Sequence, residues 1–126
     1  MPGLRGGTVR PLRIVLTVPD AERLRGALVI ASAQAALGGD AALFLQLDAV
    51  ALLRTPITAP RDADHAKSGL PPLATLLTEA VALGVAVTAC QSGLALTGLD
   101  AANLPPGIDT GGPVQFLRET GDDARL

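Results

Sequence analysis

The sequence predicts an α/β domain built on a parallel sheet, and three observations point to this fold class. Short apolar segments of strand length alternate with longer segments of helical pattern, and glycines follow the helices. Hydrophobic residues make up 48% of the chain, but only Phe44 and Phe116 are aromatic. A core of Leu, Val, Ile and Ala suits closely packed parallel strands covered by helices. The length of 126 residues fits one domain that needs neither disulfide nor metal.

The N-terminal third predicts a lead-in, a strand and a helix. Residues Met1–Pro11 mix Arg, Gly and Pro, so we expect a disordered lead-in before a single domain at residues 12–126. Leu12–Val18 is β-branched and nearly continuously apolar, as in a buried parallel strand. Asp20 is a helix N-cap, and the helix runs to about Leu37, where Gly38-Gly39 ends it.

That first helix is unusual because its second half is apolar on nearly all sides. From Ala27 to Leu37 only Ser32 and Gln34 are polar. A helix of this kind is buried on more than one side, and a domain of this size has little of its own to cover the second. We therefore expect a homo-oligomer.

The remaining elements follow the same alternation. A second strand and a short turn or helix precede the longest segment without a clear pattern, Arg54–Leu70, for which a mobile loop is one interpretation. A helix opened by Pro71-Pro72, a third strand and two further helices follow. The predicted ranges are Ala41–Leu47 for the strand, Asp48–Leu53 for the turn, 71–83 for the helix, Val85–Ala89 for the third strand, and Gln91–Thr97 and Val114–Glu119 for the last two helices.

Composition disfavours several functions and locations. The net charge of −2 and the absence of Trp and Tyr give no basic surface or stacking platform for nucleic acid. No apolar stretch approaches the roughly 20 residues of a membrane span, and Met1–Leu12 lacks the apolar core of a signal peptide. One cysteine cannot form an intramolecular disulfide. We predict a cytoplasmic protein that binds neither nucleic acid nor membrane.

Cys90 is the strongest candidate for a functional residue. It directly follows the third predicted strand, and ligands of open parallel sheets bind beyond the carboxyl ends of the strands. Backbone N–H groups of Gln91, Ser92 and Gly93, at the start of the next helix, would favour the thiolate. Asp48, after the second strand, could line the same edge, although capping the next short helix is its simpler role. The alternative for Cys90 itself is an inert cysteine that packs as a small hydrophobe.

Other chemistries find little support. A lone cysteine excludes a C-x-x-C dithiol cycle and zinc held by cysteine clusters, and we expect no metal or cofactor. His65 could act as a base for Cys90 only if its segment folded over the site, and a solvated histidine is the simpler interpretation. Asp109-Thr110-Gly111 matches the tripeptide of aspartic proteases, but those enzymes need paired aspartates in a β-rich dimer. No glycine-rich phosphate motif is present.

Residues 12–121 resemble the DsrE-like family of sulfur-relay proteins (DsrE, DsrF, DsrH and YchN-like proteins). The similarity rests on the order LRIVLTV, ALFLQLDAVALL, PLATLLTEAVALGVAVTACQSGLALTGL and GIDTGGPVQFLRE, and is most specific over Ala82–Leu99. It implies a three-layer α/β/α sandwich with a mainly parallel sheet of about five strands, assembled as a homotrimer or homohexamer. The sequence departs from the family at Asp48-Ala49-Val50, where D-G-V is usual. It also departs at the C-terminus, where the final apolar strand of the family would be very short or absent.

The resemblance implies that Cys90 accepts sulfur as a persulfide and passes it to the thiol of a partner protein. Gln91, Ser92, Gly93 and Asp48 are then the candidate binding residues, with Ser92 a hydrogen-bond donor to the sulfur. A different class of function is a non-catalytic oligomeric domain that binds a small ligand or partner. A thiol peroxidase that depends on a partner reductant is the third possibility.

Overall fold

The structure, a computed structural model, describes residues 10–120 and has helices on both faces of a parallel sheet. This confirms the predicted α/β/α fold class. Of the predicted lead-in, only Arg10 and Pro11 belong to the described residues, and both are exposed. The strands are β1 (Leu12–Leu16), β2 (Ala41–Leu45), β3 (Ala86–Cys90) and β4 (Ile108–Gly111), and the helices are α1 (Ala21–Ala36), α2 (Asp62–Lys67), α3 (Leu73–Ala82), α4 (Gln91–Thr97) and α5 (Pro113–Thr120), with 3-10 helices at Leu47–Leu53 and Ala101–Asn103.

The sheet has four strands within the described residues, in the order β1-β2-β3-β4, and every neighbouring pair is parallel. The expectation of about five strands is therefore wrong for residues 10–120. The strand that the resemblance places at the end of the chain falls at residues 124–126, outside the described residues. Strand β4 was not predicted, because Asp109 and Gly111 obscure its pattern.

One face of the sheet carries the main core. Side chains alternate along the strands, so that Leu43 and Leu45 of β2 and Val87 and Ala89 of β3 all point to this face. Helices α1, α3 and α4 cover it with aliphatic side chains that are fully or almost fully buried: Leu24, Leu28, Leu73, Leu77 and Leu94. The prediction of an aliphatic core is confirmed, since this cluster contains no aromatic residue.

Within residues 10–120, fewer side chains cover the opposite face. Its buried residues are Phe44, Cys90 and Phe116, with Val15 and Ala42 packed beside them. Phe116 comes from α5 and is the one buried side chain of residues 113–119. The two aromatic residues of the whole sequence thus meet on this face, next to the single cysteine.

Helix α1 leaves an apolar strip exposed on its outer side. Val29 is 50% exposed, Ile30 57% and Leu37 57%. Ala33 lies exposed between Ile30 and Leu37, and Gly26 lies exposed one turn before Ile30. The first helix therefore has the second apolar side that the sequence predicts. No other described residue covers this side. No helix within residues 10–120 has the length and apolar character needed to cross a membrane.

The segment at residues 54–70 is not a simple loop, since it contains α2. Arg25 of α1 is 6% exposed and holds this segment in place. Its guanidinium donates to Asp62 at 2.6 Å, to the Pro71 carbonyl at 2.7 Å and to Glu22 at 3.2 Å. A buried arginine needs such partners. The hydrophobic pattern gave no sign of α2 because none of its residues is buried.

Asp62 also links the segment to α3. Its carboxylate accepts the backbone N–H of Leu73, at the start of α3, and the N–H of Ala59. The hydrogen bond from Leu73 and the neighbouring Arg25 hold the pKa of Asp62 below its usual range, although burial acts in the opposite direction. The α3 N-terminus is thus capped by a residue distant in sequence, since its own N-cap position is Pro72.

A close backbone approach fixes the start of α4 beside the 3-10 helix Leu47–Leu53. A Cβ atom on Gly93 would lie 2.5 Å from Cγ2 of Val50 and 2.9 Å from the carbonyl oxygen of Leu47. Leu47 itself has φ +55°, a left-handed conformation that is uncommon without glycine. Gly93 is therefore required by the packing between α4 and the residues that follow β2.

We predict that Gly93→Ala destabilises the protein by about 1–3 kcal/mol, because the added methyl group overpacks this contact. Gly26→Ala is the matched control: it is also in a helix, its Cβ would meet nothing within 4 Å, and it should stabilise by about 0.5–1 kcal/mol. Urea denaturation of both variants measures the difference. Equal free energies of unfolding for the two variants would contradict the packing described here.

Candidate functional site

Cys90 is the last residue of β3 and the residue immediately before α4. In the sheet register it lies beside Gly111, the last residue of β4. The parallel strands all end at this edge, so Cys90 lies where open α/β sheets bind their ligands. The strand alternation also directs its side chain to the thinly covered face, with Phe44 and Phe116.

The sulfur of Cys90 has polar neighbours at the start of α4. Sγ lies 3.5 Å from the hydroxyl oxygen of Ser92. Burial raises the pKa of the Cys90 thiol, whereas the hydrogen bond with Ser92 and weaker contributions from the N–H groups of Gly93 and Ser92 lower it. Neither N–H closes a full capping hydrogen bond on the sulfur. The lowering contributions prevail, so the pKa of Cys90 lies below that of an ordinary thiol.

Cys90 is nevertheless almost completely buried, with 3% of its surface exposed. The rings of Phe44 and Phe116 pack against it and stack on each other, with centroids 4.8 Å apart and an angle of 13° between their planes. Ser92, in contrast, is exposed. Cys90 thus has two kinds of neighbour: an exposed serine whose hydroxyl lies 3.5 Å from the sulfur, and a buried aromatic pair in the same cluster.

Two clefts flank Phe116 and share it as a lining residue. The larger, of about 540 Å³, runs along β4 and is lined by Thr88, Gly111, Gly112 and Gln115 among others. The smaller, of about 200 Å³, lies toward β1 and β2 and is lined by Val15, Phe44, Gln46, Pro113, Phe116 and Leu117. The Phe116 ring therefore stands between two open spaces above the end of the sheet.

The candidate binding residues differ in how they relate to the sulfur. Ser92 contacts it, and the N–H of Gly93 points to it, while Gly93 itself is buried. Gln91 is exposed as the first residue of α4. Asp48 is exposed in the first turn of the 3-10 helix, where Gln46 is the N-cap residue, so its expected capping role is wrong.

His65 lies elsewhere. Its Nε2 is 2.8 Å from a carboxylate oxygen of Glu22, at the start of α1. This hydrogen bond holds the pKa of Glu22 below its usual range. The structure thus brings His65 to Glu22 and not to Cys90. Within residues 10–120, no group of His, Cys, Asp and Glu side chains has the arrangement of a metal site.

Asp109-Thr110-Gly111 forms most of β4, an edge strand of the parallel sheet. Asp109 and Thr110 are both exposed there. This setting differs from the β-rich dimer in which an aspartic protease pairs its two aspartates. The tripeptide is therefore part of the sheet edge, beside the larger cleft.

Comparison with known proteins agrees with this architecture. Residues 12–124 match the family model described as the DsrE/DsrF-like family. The chain belongs to this family. Its fold is therefore one associated with sulfur-relay proteins, and the resemblance found in the sequence is confirmed. A search of curated protein sequences finds no significant match.

Two solved structures share the fold of this family member. The crystal structure of the YchN protein from E. coli aligns with a TM-score of 0.66 and 21% identity, covering 89% of this chain and 92% of YchN. MTH1491 from Methanobacterium thermoautotrophicum, a protein of unknown function, aligns with a TM-score of 0.54 and 18% identity, covering 86% and 90% of the two chains. At these identities the similarity concerns the fold alone.

Sequence reasoning missed Phe44 and Phe116 as residues of the site. The signal in the sequence was the rarity of these residue types, since the chain has two aromatic residues and one cysteine. In the structure all three belong to one buried cluster. Their separation in the sequence concealed the contact. Phe44 alone reads as a core residue of a strand, and Phe116 as one apolar position in a short C-terminal helix.

We predict that Ser92→Ala raises the pKa of Cys90, because it removes the hydrogen bond that lowers it most. The pH dependence of iodoacetamide alkylation, followed by intact mass, measures this pKa. Ser68→Ala, at an exposed serine after α2, is the control and should leave it unchanged. An unaltered pH profile in Ser92→Ala would show that the hydroxyl does not stabilise the thiolate.

The lowered pKa of Cys90 also makes the free energy of unfolding depend on pH. A thiol whose folded-state pKa lies below its unfolded value stabilises the native state at high pH, and this contribution is lost as the pH falls through the folded-state pKa. Ser92→Ala should therefore reduce stability more at alkaline than at acidic pH. Urea denaturation of wild type and Ser92→Ala, at acidic and at alkaline pH, measures this difference in stability.

Proposed function

We propose that this protein is a sulfur-relay protein in which Cys90 carries the sulfur as a persulfide. The observation that carries the proposal is the hydrogen-bonded, anion-favouring position of the Cys90 sulfur at the carboxyl edge of the sheet. Membership of the DsrE/DsrF-like family supports it. The thiolate is the nucleophile of sulfur chemistry, so a thiol with a lowered pKa suits the role.

The proposed reaction has two displacement steps of the thiol–disulfide type. In the first, the Cys90 thiolate attacks the terminal sulfur of a donor persulfide, the donor's S–S bond breaks, and the donor leaves as a thiolate. Cys90 then carries the terminal sulfur as Sγ–SH. In the second, an acceptor thiolate attacks that terminal sulfur and Cys90 leaves as a thiolate. No net oxidation or reduction takes place, so no redox cofactor or metal is needed.

Ser92 and the amides beside it serve both steps. Their hydrogen-bond donors stabilise the negative sulfur before attack and again when Cys90 is the leaving group. Gly93 keeps its amide close because its lack of a side chain lets α4 approach the backbone of Leu47. Gln91 and Asp48, both exposed at the same edge of the sheet, are available to contact the donor or acceptor.

The partners of such a relay are proteins. The donor and the acceptor each present a reactive sulfur, and the reaction takes place in the reducing cytoplasm, where free thiols persist. We therefore propose that the protein acts in the cytoplasm.

A non-catalytic domain with an inert cysteine is the second candidate. The 3% exposure of Cys90 favours it, since free cysteines are often buried as small hydrophobes. A thiol peroxidase would use the same thiolate, but it would need a resolving thiol from a partner because Cys90 is the one cysteine of the chain.

The protein is also proposed to form a homotrimer or homohexamer through the exposed strip on α1. Val29, Ile30 and Leu37 are each at least half exposed on a helix whose neighbouring residues are Gly and Ala. Burial of such a strip is favourable by about 25 cal/mol for each Å² removed from water. A second copy of the chain offers a surface of the same uncharged character.

We predict that wild-type protein incubated with a low-molecular-weight persulfide gains the mass of one sulfur atom, and that Cys90→Ala does not. Intact mass spectrometry before and after treatment with a reductant measures the reversible addition. Cys90→Ser controls for the size of the side chain. Equal addition to wild type and Cys90→Ala, or none to wild type, would contradict the proposed relay and favour the inert domain. Consumption of peroxide that is lost in Cys90→Ser would point to the peroxidase.

We predict that Ile30→Asp dissociates the oligomer, because a charge placed in an apolar interface costs several kcal/mol, or roughly a hundredfold in affinity. Sedimentation equilibrium gives the mass of both forms. Val114→Asp, at a residue 70% exposed on α5, is the control and should keep the wild-type mass. A wild-type protein that is monomeric at every concentration tested would refute the assembly.

A further inference from the structure

A relay through Cys90 requires another sulfur atom to reach Sγ, but the structure has the residue covered. Its exposed fraction is 3%, and the cover on the thin side of the sheet is Phe116 of α5. Attack on a sulfur needs direct approach of the second sulfur along the S–S axis. Movement of α5 would uncover the sulfur on this side of the sheet.

We propose that α5 is a hinged lid over Cys90, with Phe116 as its latch, and that it restricts access to partners able to displace it. The inference rests on the proposed function for its biological purpose. Its physical content, that the lid controls the reactivity of the thiol, does not depend on persulfide chemistry.

The latch is the one buried side chain of residues 113–119. Phe116 is 8% exposed and stacks on Phe44, which is 2% exposed. The other side chains of residues 113–119 are all exposed, including Val114 at 70% and Leu117 at 40%. A helix fixed by one buried side chain opens at a smaller free-energy cost than one packed along its length, because few apolar contacts have to break.

The hinge lies at Gly111-Gly112, between β4 and α5. Gly112 has no heavy atom near its virtual Cβ, so the chain is unobstructed there. Two glycines in succession lose the most conformational freedom when ordered and change backbone angles most readily. Segments that act as hinges are short stretches of this kind at the ends of elements.

There is also space for the movement. The clefts of about 540 Å³ and 200 Å³ lie on either side of the Phe116 ring, and both have this ring in their lining. Rotation of α5 into either cleft would move the Phe116 ring out of the buried cluster that it forms with Phe44 and Cys90. Val114, which is 70% exposed, gives a partner an apolar side chain on α5 to contact.

The lid makes a quantitative prediction about thiol reactivity. When a buried group reacts only from an open form, the observed rate is the intrinsic rate multiplied by the open fraction. Phe116→Ala removes the latch and raises that fraction. Alkylation of Cys90, the one thiol of the chain, should become at least roughly tenfold faster, since a loss of only about 1.4 kcal/mol from the closed form has that effect.

The experiment compares a small reagent, iodoacetamide, with a bulky maleimide–polyethylene glycol on the full-length protein. Phe116→Ala should accelerate both reactions, and Phe116→Leu should accelerate them less. Val114→Ala removes an exposed apolar side chain from the same helix and should leave both rates unchanged. Gly112→Ala should slow both reactions by stiffening the hinge, which gives a test in the opposite direction that does not depend on loosening the fold.

The outcomes separate the lid from the relay. Equal alkylation rates in wild type, Phe116→Ala and Gly112→Ala would overturn the lid, and so would a wild-type rate equal to that of the urea-unfolded chain. Urea denaturation of each variant excludes global unfolding as the cause of faster alkylation. If the lid variants behave as expected but wild type accepts no persulfide sulfur, the lid stands and the proposed function fails.

Discussion

The unequal covering of the two faces of the sheet is the constraint on which the candidate site depends. Helices α1, α3 and α4 bury one face under a continuous aliphatic core, whereas Phe116 of α5 is the buried side chain that covers the other. The alternation of side chains along β3 assigns Ala89 to the first face and Cys90 to the second. A shift of one residue in the register would have placed the sulfur in the main core, away from any opening.

The chemistry of the sulfur follows from two opposed effects. Burial beneath the aromatic pair favours the neutral thiol, and the Ser92 hydroxyl and neighbouring amides favour the thiolate. The second effect prevails without help from a nearby base, because His65 is paired with Glu22. A cysteine that exchanges sulfur serves alternately as nucleophile and leaving group, and stabilisation by neutral donors assists both roles. A histidine base would assist the first role more than the second.

The sequence predicted the fold class well because parallel strands buried on both sides leave a strong apolar signal. β1, β2 and β3 all have that signal, and the glycine after α4 has the left-handed conformation expected of a helix end, with φ +70° at Gly98. The two elements that the sequence did not predict, α2 and β4, lack this apolar signal. Helix α2 has no buried residue and is held by Arg25 and Asp62, whose pairing spans 37 positions in sequence. Strand β4 contains Asp and Gly, which strands otherwise avoid.

The position of Cys90 was predictable, but its surroundings were not. Its place after a strand and before a helix can be read from local pattern alone, and so can the proximity of Ser92 and Gly93. The contact with Phe44 and Phe116 depends on α5 lying on the face opposite to the other helices, which no local pattern specifies. The role of Gly93 likewise depends on the backbone of Leu47, a distant residue with an uncommon conformation.

The surroundings of Cys90 favour the proposed reactive thiol over a packing cysteine. A cysteine that serves as a small hydrophobe gains by lying among aliphatic side chains, and this protein has such a core on the first face of the sheet. Cys90 lies outside it, within hydrogen-bond distance of an exposed serine. Packing alone gives no reason for polar donors beside the sulfur, since an alanine at this position would fill a similar space without them. A nucleophile whose reactivity is controlled needs both a hydrogen-bonded sulfur and the proposed removable aromatic cover. The hydrogen-bond donors stabilise the thiolate before a partner arrives, and the cover limits exposure of the sulfur to the transfer itself.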